Sequence, residues 1–231
     1  MYVEIIGAEG AGKTTVSLRV KEILIEEGTD CAFMESLFSR RSLLSKFFRA
    51  LYLLRFFKFS MLRIFSIRKS SKPKYQTSFK KNVKDIYLYL SMRHHISSIE
   101  SKSKEGVVLS DHSILIRLAT LVCKSVIREE EAVNIALGLI PQKTLFIYMN
   151  TPPADIMDRH KERGRDSKLV QDLKDREEKL SELKKYNEVI DNILEKICYT
   201  RDDHCVTLDG RVTVETNAHD IVQKVTDLLK Q

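Results

Sequence analysis

The sequence has little glycine and little proline, 8 and 4 residues respectively among 231. This low content excludes collagen-like chains and glycine- and proline-rich disordered chains. The apolar fraction of 43% and the charged fraction of 31% are instead typical of a globular protein that buries a core. Because 231 residues suit one α/β domain better than two, we predict a single domain over residues 1–231.

Cysteine pairs at CxxC spacing are absent as well. The four cysteines, Cys31, Cys123, Cys198 and Cys205, lie far apart in the sequence. We interpret them as reduced thiols that fill a core rather than bind a metal. A signal-peptide pattern is also missing before the first apolar run, which starts at Tyr2. We therefore expect a cytoplasmic protein.

Aspartate and glutamate are missing from residues 36–84, which contain fourteen Lys or Arg and eight of the ten Phe. The whole chain has a net charge of +7, so everything outside this window carries −7. We predict that residues 36–84 form a basic, aromatic-rich helical insertion. Five cations between residues 43 and 67 argue against a membrane-spanning helix there.

Three interpretations of this basic window stay open. Its apolar residues pack on the core, as an acceptor-side helical hairpin, or on a second copy in a homodimer. Alternatively, residues 43–74 dock on an anionic membrane surface, which attracts such segments by ~1 kcal/mol per basic residue. The location would then be peripheral at a membrane. Nucleic-acid binding is the third interpretation and the weakest, since no RNA- or DNA-binding motif accompanies the cations.

Short apolar runs alternate with helical patterns along the chain. We predict strands at 3–6, 31–34, 107–109, 144–149 and 205–208, and helices at 14–27, 82–103, 113–138, 169–196 and 213–230, with a further helix opening at 151–153. Gly28 is placed to end the first helix, and a break is expected around Arg128. Five apolar strands separated by helices predict an α/β fold of three layers, with a central parallel sheet and helices on both faces.

One motif carries a specific chemistry. Residues 7–15 read Gly7, Ala8, Glu9, Gly10, Ala11, Gly12, Lys13, Thr14 and Thr15, and the first eight match GxxxxGK[ST]. Glycines allow backbone N–H groups to surround a phosphate, and the following helix directs its positive end toward the same anion. In such a loop the Lys13 ammonium reaches the β- and γ-phosphates, and the Thr14 hydroxyl ligates Mg²⁺. The sequence therefore predicts a P-loop NTPase fold that binds ATP and Mg²⁺.

The chain resembles the thymidylate kinase family of P-loop nucleoside monophosphate kinases. The resemblance lies in the P-loop, in residues 88–95 with Arg93, in the strand that ends at Asp111, and in Thr151-Pro152-Pro153 followed by Arg159, Arg163, Gly164 and Arg165. It implies transfer of the γ-phosphoryl group of ATP to a nucleoside monophosphate such as dTMP.

The resemblance also assigns roles to individual residues. Arg93 would contact the acceptor, and Asp111 would lie with Thr14 near Mg²⁺ and the phosphates. A lid at about residues 159–172 would bring arginines to the transition-state charge, namely Arg159, Arg163 and Arg165.

Two departures from the family pattern fall on the acceptor side. Where the family has Asp-Arg-aromatic, this chain has Asp111-His112-Ser113, so His112 would face the acceptor in place of an arginine. After the second strand, only Glu35 survives of an Arg-Glu-Pro-Gly stretch. Deoxynucleoside kinases, a related P-loop group, place a glutamate where Glu35 stands. A hydroxyl acceptor, with Glu35 as general base, therefore stays open.

Such a hydroxyl would belong to a nucleoside, a sugar or a membrane-associated glycan. An alternative of another class is a regulatory module that binds nucleotide without turnover. The arginines of the lid count against that alternative.

Overall fold

The computed structural model describes residues 1–33, 106–111, 114–123, 125, 127–142, 144–164, 166, 169–170, 173–201 and 204–230. The predicted basic window lies outside these residues, and so do four predicted site residues: Glu35, Arg93, His112 and Arg165.

A parallel sheet forms the centre of the described part of the chain. Its five strands are β1 (Tyr2–Ile6), β2 (Cys31–Phe33), β3 (Val107–Ser110), β4 (Thr144–Asn150) and β5 (His204–Asp209), in the order β2-β3-β1-β4-β5. Strand β1 lies between β3 and β4, with Tyr2 opposite Val108 on one side and Thr144 on the other. All five residues of β1 are buried because helices cover both faces of the sheet.

Helices cover both faces of this sheet. In chain order they are α1 (Lys13–Glu26), α2 (Ile114–Cys123), α3 (Glu129–Leu139), α4 (Pro153–Glu162), α5 (Arg176–Arg201) and α6 (Val214–Leu229). Helices α1 and α6 pack together on one face, and α2, α3 and α5 pack on the other, with a separate apolar cluster in each layer. The predicted α/β fold, with a five-stranded parallel sheet between two helical layers, is confirmed.

The end of α1 follows the sequence prediction. Gly28 adopts a φ of 80°, a conformation that favours glycine. Its N–H donates to the Ile25 carbonyl at 3.0 Å, and the Thr29 N–H donates to the Leu24 carbonyl at 2.8 Å. This pair of hydrogen bonds is a Schellman motif, which stops the helix and directs the chain toward β2.

One predicted helix break is confirmed, and one predicted helix start is wrong. The pattern over 113–138 divides into α2 and α3 at the break expected around Arg128, whose N–H donates to the Glu131 carboxylate at 3.0 Å where α3 begins. Helix α5 begins at Arg176 rather than near 169, because the Asp175 carboxylate accepts the Glu177 N–H at 2.6 Å and caps the first turn there. Within the described ranges, none of the helices has the length and apolar character needed to cross a membrane.

Candidate active site at the carboxyl edge of the sheet

The strand order determines where a ligand can bind. From β1 the chain goes to β2 and β3 on one side of the sheet and returns to β4 and β5 on the other. In open parallel sheets this change of direction leaves a crevice at the carboxyl ends of the strands. The P-loop follows β1 here, Asp111 follows β3, Thr151 follows β4 and Gly210 follows β5, so the four segments meet at one edge.

The P-loop is a tight turn that opens α1. Gly10 and Gly12 have φ angles of 99° and 91°, which side chains other than glycine rarely adopt. Between them, the Ala11 N–H donates to the Ala8 carbonyl at 3.1 Å. Helix α1 begins directly after Gly12, so its positive end lies against the loop. This arrangement suits a phosphate group.

The Lys13 ammonium lies within this loop. Its Nζ donates to the Ala8 carbonyl at 2.8 Å. Burial lowers the pKa of Lys13 to about 8, the Asp111 and Glu9 carboxylates oppose that change, and the Arg163 cation adds to it. A bound phosphate would favour the charged form of Lys13, since an adjacent anion raises the pKa of an amine.

Thr14 and Asp111 form the next part of the site. The Thr14 hydroxyl donates to the Asp111 carboxylate with an oxygen–oxygen distance of 2.5 Å. Asp111 is buried, whereas Thr14 and its neighbour Thr15 are exposed in the first turn of α1. The loop thus has an accessible hydroxyl oxygen beside a fixed carboxylate, and both are ligand types that Mg²⁺ prefers.

Protein side chains alone would not enclose a metal here. The described residues contain no group of three His, Cys, Asp or Glu side chains arranged to hold a metal ion. Mg²⁺ typically keeps waters and binds through one or two protein oxygens together with substrate phosphates. The Thr14 and Asp111 oxygens fit that mode of binding.

Helix α4 holds the P-loop through Arg159. One guanidinium nitrogen of Arg159 donates to the Gly10 carbonyl at 3.1 Å, and the other donates to the Gly210 carbonyl at 2.8 Å. A single side chain therefore links the P-loop to the loop after β5. The sequence predicted a catalytic arginine at this position, and in the structure its guanidinium binds backbone carbonyls.

His160, the next residue of α4, also contacts the P-loop. Its Nε2 lies 2.8 Å from the Glu9 carbonyl, and the ring is 4% exposed. A Cβ atom at Gly10 would lie 2.9 Å from the same Nε2, so this position has room only for glycine. His160 was not among the site residues predicted from the sequence. Its spacing of four residues from the buried Ile156 was the available signal that it lies on the inner face of α4.

The segment after β4 completes the support of the loop. The Thr151 hydroxyl donates to the Ala11 carbonyl at 3.4 Å, and the Asn187 amide of α5 donates to the Thr151 carbonyl at 3.2 Å. Thr151 was predicted as part of the family pattern, and the structure places it directly against the P-loop.

Arg163 differs from Arg159 in its surroundings. It lies at the C-terminal end of α4, where its backbone N–H donates to the Arg159 carbonyl at 3.2 Å, and its side chain is exposed. Its charge lies close enough to Lys13 to lower the pKa of that ammonium. Arg163 is therefore an accessible cation on the phosphate side of the site.

A cavity of about 340 Å³ lies beside this site, at the carboxyl ends of β4 and β5. It is lined by Asn150, Pro152, Thr207, Leu208, Asp209 and Arg211. Its volume is in the range of small-ligand pockets. The carboxyl edge of the sheet therefore combines an anion-binding loop with a neighbouring pocket.

Known structures share this fold. The chain is similar to a deoxyadenosine kinase from M. mycoides with dCMP and dCDP bound, with a TM-score of 0.57 and 16% identity over 98% of this chain and 100% of that chain. A second structure of deoxyadenosine kinase from M. mycoides, with bound dCTP, has a TM-score of 0.52 and 17% identity over the same shares. No family model and no curated protein matches the sequence. At this level of identity the structural likeness supports the fold alone, which this chain shares with these two structures.

Proposed function

We propose that this protein is an ATP-dependent phosphotransferase that acts on the hydroxyl group of a deoxynucleoside. The observation that carries the proposal is the arrangement at the P-loop. There the Lys13 ammonium lies in the loop, and the Thr14 hydroxyl lies 2.5 Å from the Asp111 carboxylate. These are the groups that phosphoryl transfer from ATP requires for positioning and charge neutralisation.

Each group has a role in this proposal. The backbone N–H groups of the P-loop and Lys13 hold the β- and γ-phosphates of ATP, and Thr14 and Asp111 hold Mg²⁺. When bound, Mg²⁺ neutralises the charge that develops on the phosphates. Arg163 is exposed on the same side and supplies a further cation. Arg165, two positions further along the lid, is proposed for the same task.

The acceptor is inferred from the fold and from Glu35. The two M. mycoides structures are of deoxyadenosine kinase, and the likeness to each covers 98% of this chain. A hydroxyl acceptor needs a base that takes its proton, and Glu35, two positions after β2, is the residue we propose for this role. Arg93 and His112 are proposed to contact the acceptor.

A nucleoside monophosphate such as dTMP is the second candidate acceptor. It is favoured by the order of Thr151, Arg159 and Arg163 after β4, which matches the thymidylate kinase pattern. An acceptor that is already an anion requires cations and no base. The two candidates therefore differ in whether Glu35 is needed.

The test is transfer of label from γ-labelled ATP, with Mg²⁺, to a panel of deoxynucleosides, nucleoside monophosphates and simple sugars. We expect the wild-type protein to form labelled deoxynucleoside monophosphate. The Glu35→Gln variant should transfer label at least about 10²-fold more slowly, because it lacks the general base. Lys13→Ala is the control and should transfer nothing. Label on dTMP alone, unaffected by Glu35→Gln, would select the second candidate. ATP binding without any transfer would instead select the non-catalytic module and overturn the proposal.

A further inference from the structure

Two of the four cysteines come together at the corner between α5 and β5. Cys198 lies in the last turn of α5, and Cys205 is the second residue of β5. The strand register pairs Cys205 with Phe146 of β4, and side chains at paired positions of neighbouring strands face the same side of a sheet. Phe146 belongs to the apolar cluster beneath α5, and Cys198 packs against that same cluster. Both sulfurs therefore lie on one face of the sheet.

The two thiols interact directly. A side-chain hydrogen bond joins Cys198 and Cys205, and it lowers the pKa of Cys205 below its ordinary value, although burial and the Asp191 carboxylate act in the opposite direction. Cys205 is exposed and Cys198 is half-buried. Hydrogen bonds from Arg201 to the carbonyls of Ile140 and Pro141, at 2.9 and 2.5 Å, fix the end of α5 beside this pair. Reagents from solution can thus reach one thiol while the second is held next to it.

The other two cysteines have the opposite properties. Cys31 and Cys123 are buried, at 6% and 5% exposure. Burial raises the pKa of each to about 11. Since the thiolate is the nucleophile, these two thiols are unreactive in the folded protein near neutral pH.

We infer that Cys198 and Cys205 are a redox-active pair, which a low-molecular-weight disulfide such as oxidised glutathione converts into an intramolecular disulfide. The Cys205 thiolate attacks one glutathione sulfur, forms a mixed disulfide and releases glutathione thiolate. The Cys198 thiolate then attacks the Cys205 sulfur and releases the second glutathione. The two protein thiols are oxidised and one glutathione disulfide is reduced, and the two protons that the protein thiols lose are taken up, through solvent, by the two glutathione thiolates.

Cysteine mapping of the folded protein tests this inference without any nucleotide. The protein is incubated with oxidised glutathione, free thiols are alkylated, and the chain is digested with trypsin. Because trypsin cuts after Arg201, the expected disulfide joins the peptides 197–201 and 202–211. Cys31 and Cys123 serve as internal controls and should become alkylated only after denaturation.

The rates separate a specific pair from general oxidation. The hydrogen bond with Cys198 lowers the pKa of Cys205, whereas burial raises the pKa of Cys31 and Cys123 to about 11, so Cys205 has the larger thiolate fraction near neutral pH. Because Cys205 is also exposed and the other two thiols are buried, it should react at least about tenfold faster than either of them.

Two variants complete the test. Cys198→Ser should stop at the glutathione adduct of Cys205, and Cys205→Ser should leave Cys198 unmodified. Since Cys205 is exposed, its serine variant should keep the fold, which circular dichroism checks. The inference is wrong if wild type also stops at the adduct, if no thiol reacts, or if all four cysteines react at one rate.

Discussion

The P-loop is held by different chemistry on the side of β3, here called the strand side, and on the side of α4, here called the helix side. On the strand side, Thr14 and Asp111 join through a hydroxyl–carboxylate hydrogen bond of 2.5 Å between two side chains. On the helix side, Arg159 and His160 of α4 bind backbone carbonyls of the loop at 3.1 and 2.8 Å. The strand side presents groups that can act on a ligand, whereas the helix side uses its polar groups to fix the shape of the loop.

This division is repeated within α4. Arg159 and Arg163 lie one turn apart, yet the first donates to carbonyls of Gly10 and Gly210 while the second is exposed beside Lys13. Two residues of the same type in one motif can therefore serve different purposes, which only their surroundings distinguish.

Among the residues of the two sides, the largest effect on kcat is expected at Arg163. Arg163→Ala should lower kcat by about 10³-fold, because an arginine at the transferred phosphoryl group can contribute that much. The melting temperature should stay unchanged, since the side chain is exposed. Steady-state kinetics and thermal denaturation check both expectations.

Two control variants come from the same helix. Lys161→Ala removes another exposed cation and should have little effect on kcat. Arg159→Ala should instead lower the free energy of unfolding by about 1–2 kcal/mol, because two backbone carbonyls lose their donor. Equal kinetic losses in Arg163→Ala and Lys161→Ala would contradict the assignment of Arg163.

A smaller effect is expected on the strand side. Asp111→Asn keeps an oxygen that can accept from Thr14 but removes the negative charge, so kcat should fall by about 10²-fold. The Mg²⁺ concentration needed for half-maximal rate should rise, which a Mg²⁺ titration measures. If Thr14 and Asp111 act on one ion, the effects of Thr14→Ala and Asp111→Asn will not add in the double variant. Additive effects would show that Thr14 and Asp111 do not act on the same ion.

The dependence of ATP binding on pH tests Lys13. Only the charged ammonium attracts phosphate, and the pKa of Lys13 is about 8 in the nucleotide-free protein. The Kd for ATP should therefore be constant between pH 6.5 and 7.5. Above pH 8 the Kd should rise, and the rise should approach about tenfold per pH unit. Lys13→Arg is the matched control, because a guanidinium stays charged throughout this range. A wild-type Kd that stays constant up to pH 9.5 would contradict the low pKa.

The smallest effect is expected for His160, on the helix side. His160→Leu removes the donor to the Glu9 carbonyl and should raise the KM for ATP about fivefold, the equivalent of roughly 1 kcal/mol for one lost hydrogen bond. His160→Gln retains an N–H donor and should restore a KM near that of wild type, with kcat unchanged in both. If His160→Gln does not restore the KM for ATP, the His160 ring contributes by packing and not by its hydrogen bond.

The sequence predicts local features well because their causes are local. The P-loop glycines, the end of α1 at Gly28 and the apolar strands all follow from residues next to one another in the chain. The order of Gly12, Lys13 and Thr14 likewise predicts an anion-binding turn before a helix, and the structure has one.

The contacts that the sequence did not predict join residues far apart in the chain. Arg159 and Gly10 are separated by 149 positions, and His160 and Glu9 by 151. The spacing of His160 from Ile156 indicates the inner face of α4, but the loop atoms that this face contacts depend on how the helix sits above the sheet. Cys198 and Cys205 were expected to fill a core, and their contact across the α5–β5 corner depends in the same way on tertiary packing.

Calorimetric titration of Mg²⁺·ATP into wild type and Lys13→Met tests whether this loop binds Mg²⁺·ATP through Lys13. We predict that the variant binds at least about 100-fold more weakly, because the loss of a charge partner from a desolvated site costs several kcal/mol. Without nucleotide the variant should melt at a higher temperature, since burial disfavours the Lys13 cation in the empty site. Equal affinity in the two proteins would contradict the claim.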